Sequence, residues 1–402
     1  MRIIDCDTHP YPNDSYPIEP FIPDAARLAI EQHQDSRPTH GFVNPFGLLR
    51  RDVTSSDPDV LRERVLDGYD VDYAVLISPG LSVSITPAVP VASAMAQAYN
   101  DWIIECFLEK DPRFLAAVSV NLSDPEAAVR EIHRAGEHPQ MVQICVTGEA
   151  ELLYGHPMYG PVFEACQEKE LVVALHPGPE GSITPSTPVG RPRSYAEWHS
   201  GLPMTYQAQV INMVMEGVFE RYPGIKVLLI EGGIAWLPHV MWRMDKNFKA
   251  LRTTLPWLKR LPSEYVVDHI RLTTQPLEEP GSAQLFANLL EMVRAEKTLC
   301  FSSDFPHWDM DDPYRAFPRG LDEALQRRIF SENAAELYGL SLPAARSTEA
   351  VDGRSSAARP TPTALATHAA KPAPSSAGGR PTPAGPSPSS SAGGTQGVID
   401  GE

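Results

Sequence analysis

The sequence has little that would place the protein in a membrane or outside a cell. No apolar run approaches the roughly 18 residues that a helix needs to span a bilayer, and the first residues have the pattern of a strand rather than of a signal peptide. The five cysteines form no Cys-x-x-Cys pair, and three of them lie in apolar strand-like runs, where a thiol behaves as a small hydrophobic group. We therefore expect a cytoplasmic protein with reduced cysteines.

Positive charge is also scarce. The chain has 34 Lys and Arg residues against 51 Asp and Glu residues, which gives a formal net charge of −17. Because nucleic acids and anionic membranes bind basic surfaces, this balance disfavours both as partners. The class of partner that we expect is a small-molecule substrate.

Aliphatic and aromatic residues become rare near Pro343. From there to residue 402 the chain consists mainly of Ala, Pro, Ser, Thr and Gly. Such a segment cannot bury enough apolar surface to offset the conformational entropy that folding would cost it. We therefore predict one folded domain over residues 1–342, long enough to bury a large core, and a disordered tail over residues 343–402.

Apolar strand-like runs alternate with helical periodicity through the predicted domain. Eight such runs begin near residues 3, 73, 114, 141, 171, 226, 269 and 298. Helices are predicted between them, and several begin at capping residues such as Asp57 and Asp124. Fully apolar strands separated by helices indicate a parallel sheet covered on both faces. No Gly-rich phosphate loop follows an early strand, so the sequence favours a closed (β/α)₈ TIM barrel, an α/β fold, over an open doubly wound sheet.

Metal-competent side chains stand at the ends of four of these runs. Asp7 and His9 end the first run, and residues two apart on a strand share a face. His176, Glu231 and Asp304 end the fifth, sixth and eighth runs. Because the carboxyl ends of parallel barrel strands share one rim, we expect these groups to converge there. Two imidazoles with carboxylates suit one divalent ion such as Zn²⁺, Mn²⁺ or Fe²⁺, whereas each group alone would equally suit a turn cap.

Three loop insertions are predicted at the carboxyl face of the barrel, over residues 10–56, 177–203 and 253–268. Loops on that face bind the substrates of such folds. The alternative for any one of their polar residues is a side chain that is simply solvated. The candidates for substrate contact, with one from the segment after the sixth strand, are Arg50, Arg51, Arg191, Arg193, Trp198, His199 and Trp236.

Five motifs carry a resemblance to a known family. They are IIDCDTH at residues 3–9, ALHP at 174–177, IEGGIAWLP at 230–238, FSSDFPH at 301–307 and IFSENAAELYG at 329–339. With them, residues 1 to about 340 resemble the amidohydrolase-related branch of the amidohydrolase superfamily, which includes aminocarboxymuconate semialdehyde decarboxylase and related aromatic-acid decarboxylases. The resemblance implies a TIM barrel, often a homodimer, in which one divalent ion is bound by Asp7, His9, His176 and Asp304.

Two positions depart from the pattern of the family. Asp7 stands where many relatives have His, which hardens the site and makes Mn²⁺ and Zn²⁺ equally suitable, with Fe²⁺ as a further option. Glu231 stands where decarboxylating relatives have a His that handles the proton. A carboxylate is poorly matched to protonating a substrate carbon beside a metal. We expect Glu231 either to orient a nucleophilic water or steady a lid, or to pair with a loop Arg.

These residues lead us to predict a metal-dependent hydrolase that cleaves a carbonyl-centred bond, an amide, ester or acyl thioester. The ion would lower the pKa of its water toward about 7, Asp304 would accept the proton and return it to the leaving group, and His307 would contact the substrate or hold Asp304. The alternative is non-oxidative decarboxylation of an aromatic or unsaturated acid. It is favoured by Arg51, since decarboxylating relatives use an Arg of this insertion for a substrate carboxylate. A third hypothesis is a binding barrel without catalysis.

Overall fold

An eight-stranded parallel sheet organises the chain in the computed structural model, which describes residues 1–24, 26–27, 53–85, 89–178, 190, 192–318 and 320–342. The strands lie side by side in chain order. Their buried, β-branched and aliphatic side chains are those that the apolar runs predicted. The strands are β1 (Ile4–Thr8), β2 (Tyr73–Leu76), β3 (Phe114–Ser119), β4 (Met141–Thr147), β5 (Val172–His176), β6 (Val227–Leu229), β7 (Ile270–Thr273) and β8 (Leu299–Cys300).

The sheet closes on itself between its first and last strands. The backbone N–H of Cys6 donates to the carbonyl oxygen of Phe301 at 3.0 Å. The N–H of Asp304 donates to the carbonyl oxygen of Asp7 at 3.1 Å. Farther along, the N–H of His9 donates to the carbonyl oxygen of Phe305 at 2.8 Å. The predicted (β/α)₈ barrel is therefore confirmed, and its closure places the segment after β8 beside the end of β1.

Helices lie between the strands, and side-chain caps start several of them. The carboxylate of Asp57 accepts from the backbone N–H of Asp59 at 2.8 Å, and that of Asp124 accepts from Ala127 at 3.0 Å. The α-helices are α1 (Val53–Ser56), α2 (Pro58–Leu61), α3 (Val89–Ile103), α4 (Pro125–Ala135), α5 (Gly160–Glu168), α6 (Tyr195–Gly201), α7 (Pro203–Met215), α8 (Val218–Arg221), α9 (Leu237–Leu251), α10 (Pro262–His269), α11 (Ala283–Met292), α12 (Ala295–Thr298), α13 (Glu323–Arg327) and α14 (Asn333–Tyr338).

Short π-helical and 3₁₀ segments extend or join these helices. The π-helical turns Arg62–Asp67, Ile104–Leu108 and Arg328–Glu332 follow α2, α3 and α13. The 3₁₀ segments are Glu19–Phe21, Pro79–Ile85, Pro157–Tyr159 and Arg252–Thr254. Within the described ranges, each helix is too short or too polar to cross a lipid bilayer.

The interior of the barrel is filled by small and aliphatic side chains from its strands. One buried cluster includes Ile4, Cys6, Cys145, Ala174, Leu228, Ile230 and Cys300. At the amino ends of the strands, the hydroxyl of Tyr338 on α14 donates to Oε1 of Gln143 at 2.8 Å. The last described helix thus lies at the end of the barrel opposite to the predicted metal ligands.

Residues 253–268 differ from the prediction of a loop insertion at the carboxyl face. They include α10, which runs directly into β7 at Ile270. The segment therefore ends at the amino end of a strand, on the far side of the barrel from the predicted site. The length of an insertion does not encode the face on which it lies. The domain boundary at residue 342 stays a prediction, and the tail over residues 343–402 lies outside the described residues.

Candidate metal centre and active site

The two predicted ligands of the first strand lie close together at its carboxyl end. The pairing of β1 with β2 shifts register between Asp5 and Thr8, an irregularity of the kind that re-aims side chains. Nε2 of His9 lies 2.9 Å from Oδ1 of Asp7 and 3.2 Å from Oδ1 of Asp304, and all three side chains are buried. The first strand and the segment after the last strand therefore share one site.

His176 at the end of β5 joins the same group. Its Nε2 lies 3.0 Å from Oε1 of Glu231, 3.3 Å from Nε2 of His9 and 3.7 Å from Oδ2 of Asp7. Its other ring nitrogen, Nδ1, lies 2.5 Å from the carbonyl oxygen of Pro177. Because a carbonyl oxygen only accepts, Nδ1 is the donor, and the lone pair of a neutral ring is on Nε2, facing the carboxylates.

Glu231 and Asp304 reach the site through unusual backbone conformations. Their φ angles are 56° and 60°, in the left-handed region that side chains other than Gly rarely adopt. Glu231 lies shortly after β6, which ends at Leu229, and Asp304 lies beyond the end of β8 at Cys300, where the chain turns out of the sheet. Such conformations cost of order 1 kcal/mol or more, and they concentrate at functional sites because the surrounding structure holds them there. In both residues the conformation delivers a carboxylate to the rim that the strands share.

The donor atoms of this site fit a divalent metal ion. Oδ1 and Oδ2 of Asp7 and Oε1 of Glu231 are buried without a hydrogen-bond partner, which is costly unless a cation satisfies them. Among the described residues, two sets offer one ligand atom per residue, with all atoms within 4.8 Å of one another: Asp7, His9, His176 and Glu231, and His9, Glu231, Asp304 and His307. A single divalent ion is therefore a suitable occupant, as the sequence predicted.

The carboxyl groups of Asp7 and Asp304 differ in their pKa values. Burial favours a raised pKa for Asp7, but the imidazoles of His9 and His176 hold it below its usual range. Burial raises the pKa of Asp304 to about 7, although the hydrogen bond with His9 opposes the shift. Asp7 therefore stays ionised, while Asp304 can hold a proton near neutral pH. Two carboxyl groups with separated pKa values are an arrangement that serves acid–base chemistry.

A hydrogen-bonded chain leads from Asp304 away from the ligand atoms. Nδ1 of His307 lies 2.5 Å from Oδ1 of Asp304, and Nε2 of His307 lies 2.7 Å from the hydroxyl of Tyr11. Burial and the neighbouring His9 lower the pKa of His307 to about 3, so the ring is neutral. The structure places His307 beside Asp304, and its role in the reaction stays a prediction. The sequence analysis did not find Tyr11, whose only signal was its position two residues after His9.

Asp5 is a second residue whose role the sequence analysis missed. Its buried carboxylate accepts from the backbone N–H of Ser303 at 2.8 Å, from the Ser303 hydroxyl at 2.5 Å and from the N–H of Asp7 at 3.2 Å. Burial raises its pKa to about 7. Asp5 thus ties the residue before Asp304 to the first strand. The alternation Asp5, Asp7, His9 was the available signal, but the partner lies 298 residues away.

An aromatic cluster lies beside the predicted ligands. It contains His199, a predicted substrate contact, which stacks on Tyr195 with 5.4 Å between ring centroids. Nε2 of His199 lies 3.4 Å from Oδ2 of Asp309, and the indole N–H of Trp308 donates to the Tyr195 hydroxyl at 3.0 Å. Trp198, the other predicted contact on α6, is buried 5.5 Å from the Tyr195 ring. Tyr195, Trp308 and Asp309 had no distinguishing sequence signal.

The structure assigns Trp236 to the loop after β6. Its side chain is only 8% exposed, and its indole N–H donates to the carbonyl oxygens of Gly232 at 2.9 Å and Gly233 at 3.2 Å. These bonds hold the turn that follows Glu231, and substrate contact by Trp236 stays a prediction. Arg193 is exposed, and the three other predicted arginines, Arg50, Arg51 and Arg191, lie outside the described residues.

Comparison with known proteins places most of the chain in one family. Residues 4–340 match the family profile described as amidohydrolase. Among curated relatives, gamma-resorcylate decarboxylase of Polaromonas sp. (strain JS666 / ATCC BAA-500) is 25% identical over 340 residues, which cover 78% of this chain and 99% of that protein. The 2-amino-3-carboxymuconate-6-semialdehyde decarboxylase of Dictyostelium discoideum is also 25% identical, over 73% of this chain and 80% of that protein.

Solved structures show the same fold. The dihydroxybenzoic acid decarboxylase of Polaromonas sp. JS666, solved with manganese and the inhibitor 2-nitroresorcinol, superimposes with a TM-score of 0.58 at 21% identity. The superposition covers 84% of this chain and 96% of that one. The barrel is therefore shared over nearly the full length of the relative, and the ion in that structure agrees with the donor set described above.

Proposed function

The chain belongs to the amidohydrolase family and is an enzyme, and on that premise we propose that it is a metal-dependent, non-oxidative decarboxylase of an aromatic or unsaturated carboxylic acid. The proposal rests on one observation above all: relatives that match over most of their length are named as decarboxylases of such acids. The site also holds a candidate acid, Asp304, a buried carboxyl group whose pKa burial raises.

The prediction of a hydrolase is wrong. Decarboxylase relatives that align over nearly their whole length overturn it, including its amide, ester and thioester variants. The physical reason is that an ion, two imidazoles and several carboxylates suit both reactions. Those side chains can activate a water molecule, and they can also hold a carboxylic acid and protonate the carbon that loses CO₂. Residue types at strand ends did not distinguish between the two.

The proposed mechanism assigns a role to each group that the structure brings together. Asp7, His9, His176 and Asp304 would hold the ion, which when bound supplies positive charge for an anionic substrate. Asp304 delivers its proton to the carbon that bears the carboxylate. The carbon–carbon bond then breaks, its electrons return to the unsaturated system, and CO₂ leaves. A proton from solvent, passed from Tyr11 through His307, restores the protonated form of Asp304.

The aromatic cluster supports a flat, unsaturated substrate. Burial raises the pKa of Tyr195, and the contact with Asp309 raises the pKa of His199 although burial opposes that shift. The charges of Glu231 and Asp304 add smaller upward contributions to both, so the two rings lie near the ligands. Stacked rings favour an aromatic or conjugated ligand over an aliphatic one. We accordingly retain His199 as a substrate contact, and Trp198 as the side chain that supports it.

The products of the reaction distinguish the two chemistries. Metal-loaded enzyme is incubated with gamma-resorcylate, other hydroxylated benzoates and conjugated unsaturated acids in D₂O, and with matched esters and amides in H₂¹⁸O. The proposal predicts release of CO₂ from at least one acid, with deuterium at the vacated carbon by NMR. The metal-free enzyme serves as the control. Hydrolysis of an ester or amide with ¹⁸O in the product, and no CO₂ from any acid, would overturn the proposal.

The cytoplasmic location and the homodimer are carried forward as part of this proposal. The location follows from the cysteine pattern, and the homodimer from the resemblance to the family. Size-exclusion chromatography with light scattering tests the second directly.

A further inference from the structure

We propose that Glu231 is itself a ligand of the metal ion, so that the site has three carboxylates and two imidazoles. This inference rests on the ligand set of the proposed function and adds one residue to it. Where decarboxylating relatives are expected to have a proton-handling His, this chain would thus use the position for metal binding. The argument depends on where the oxygen atoms of Glu231 lie.

Glu231 is common to both groups of potential ligands in the described part of the chain. Only one other residue, His9, is shared by the two sets. The first set lacks Asp304 and the second lacks Asp7 and His176, so the four ligands expected from the family do not by themselves form either set. An ion that contacts residues from both sets lies next to the two residues that the sets share, and one of these is Glu231.

The distances around Glu231 match those between ligands of one ion. Its Oε1 lies 3.0 Å from Nε2 of His176, which in turn lies 3.3 Å from Nε2 of His9. Ligand atoms about 2.1 Å from a six-coordinate ion lie about 3.0 Å from their neighbours. The distances from Oε1 of Glu231 to Nε2 of His176, and from there to Nε2 of His9, are therefore those expected between neighbouring ligands of one ion.

Hydrogen bonding does not account for the same contact when the ring is neutral. The single N–H of a neutral His176 is on Nδ1, where Pro177 accepts it. Its Nε2 and Oε1 of Glu231 are then two acceptors that face each other. Oε1 is buried and has no hydrogen-bond partner. Two buried acceptors at this distance repel unless a positive charge lies between them. A proton on Nε2 supplies it in the metal-free site, where burial opposes the charge but Glu231 and Asp7 raise the pKa of His176, and the divalent ion supplies it when the metal binds.

A backbone hydrogen bond also holds Glu231 in position. Its backbone N–H donates to the hydroxyl oxygen of Thr273 at 3.1 Å, which holds the residue in its left-handed conformation. The carboxylate is thus pre-organised toward His176 rather than free to turn into solvent. A third carboxylate makes the site richer in oxygen, and oxygen ligands favour Mn²⁺ over Zn²⁺ relative to a site with His at this position.

Metal affinity tests the proposal without reference to turnover. Metal-free wild type, Glu231→Gln and Asp309→Asn are titrated with Mn²⁺ by calorimetry. Asp309 is the matched control, because it is an acidic residue near the same site that belongs to neither ligand set. We expect Glu231→Gln to weaken Mn²⁺ binding at least about tenfold, and Asp309→Asn to change it less than about threefold through loss of charge alone. Equal effects in the two variants would overturn the proposal.

Two further measurements keep the test decisive if Glu231→Gln folds poorly. Glu231→His is expected to shift competition between the ions toward Zn²⁺, and an unchanged preference counts against ligation. A crystal structure of metal-loaded wild type needs no variant and is expected to show a Glu231 oxygen at bonding distance, about 2.0–2.2 Å for Zn²⁺. A Glu231 that stays beyond bonding distance of the ion would refute the assignment. Failure to release CO₂ would refute the proposed reaction and leave these metal results standing.

Discussion

The hydroxyl of Tyr11 lies 2.7 Å from Nε2 of His307, although the two residues are 296 positions apart in the chain. The contact continues from Nδ1 of His307 to Asp304 at 2.5 Å. An ionised Asp304 carboxylate only accepts, so beside it a neutral His307 ring has its proton on Nδ1, and the Tyr11 hydroxyl donates to Nε2. Tyr11 thus completes the hydrogen-bonded chain through His307 that resupplies a proton to the proposed acid.

Replacing Tyr11 with Phe tests that chain. The variant keeps the ring and loses one hydrogen bond, which is worth about 0.5–1.5 kcal/mol. If the bond matters in the reaction step, kcat falls by roughly 2- to 10-fold while KM is nearly unchanged. Steady-state kinetics on the metal-loaded enzyme measure both. A raised KM with normal kcat would instead place the hydroxyl of Tyr11 in substrate binding.

Asp304→Asn tests the proposed acid itself. An amide cannot deliver the proton, so we expect kcat for CO₂ release to fall by at least about 10²-fold. Metal content is measured on the same samples, because Asp304 is also a proposed ligand. The exposed Glu164→Gln on α5 serves as the control substitution. A variant that retains the ion and more than about a tenth of the activity would contradict the role of Asp304.

Loss of the Asp5 carboxylate is expected to lower the free energy of unfolding substantially. Asp5→Ala leaves the N–H and hydroxyl of Ser303 and the N–H of Asp7 without their buried acceptor, at a cost of about 1–3 kcal/mol for each unsatisfied group and less than additively. Asp5→Asn keeps one oxygen and is expected to lose less. Urea unfolding of the metal-free proteins at neutral pH compares them. Equal losses in the two variants would argue against the hydrogen bonds as the cause.

The raised pKa of Asp311 leads us to expect a specific dependence of the free energy of unfolding on pH. Burial, with the charges of Asp309, Glu279 and Asp312, raises its pKa to about 6. Between about pH 4 and pH 6 the native state keeps a proton that the unfolded chain releases, so this residue makes stability fall as the pH rises through that range. Asn cannot ionise. We therefore expect Asp311→Asn to gain stability relative to wild type between pH 4 and pH 6, and a difference that is constant with pH would contradict this account.

Removal of residues 346–402 is expected to leave both folding and turnover nearly unchanged. The segment has no apolar periodicity, so it adds nothing to the core that the barrel buries. Thermal unfolding and CO₂ release of the truncated chain are compared with those of the full chain. A melting temperature lower by more than a few degrees would show that the tail contributes to the fold.

The strand ends could be predicted because their signals are local. An apolar run of strand length fixes where β5 lies, and the next polar residue, His176, must then stand at its carboxyl end. In a parallel barrel all such ends share one rim, so Asp7, His9, Glu231 and Asp304 could be grouped with it before any distance was known. Caps such as Asp57 and Asp124 are local in the same way, since donor and acceptor lie within a few residues.

The chemistry of the site depended on contacts that the sequence does not record. Asp5 with Ser303 and Tyr11 with His307 join the first strand region to the last one, and they exist only because β1 and β8 close the barrel. The left-handed conformation of Glu231 has no signal in its neighbours, yet it decides where the carboxylate points. Residue order determined which groups reach the rim. The distances and burial that separate a metal ligand from a proton donor arise only when the closed barrel removes those groups from water.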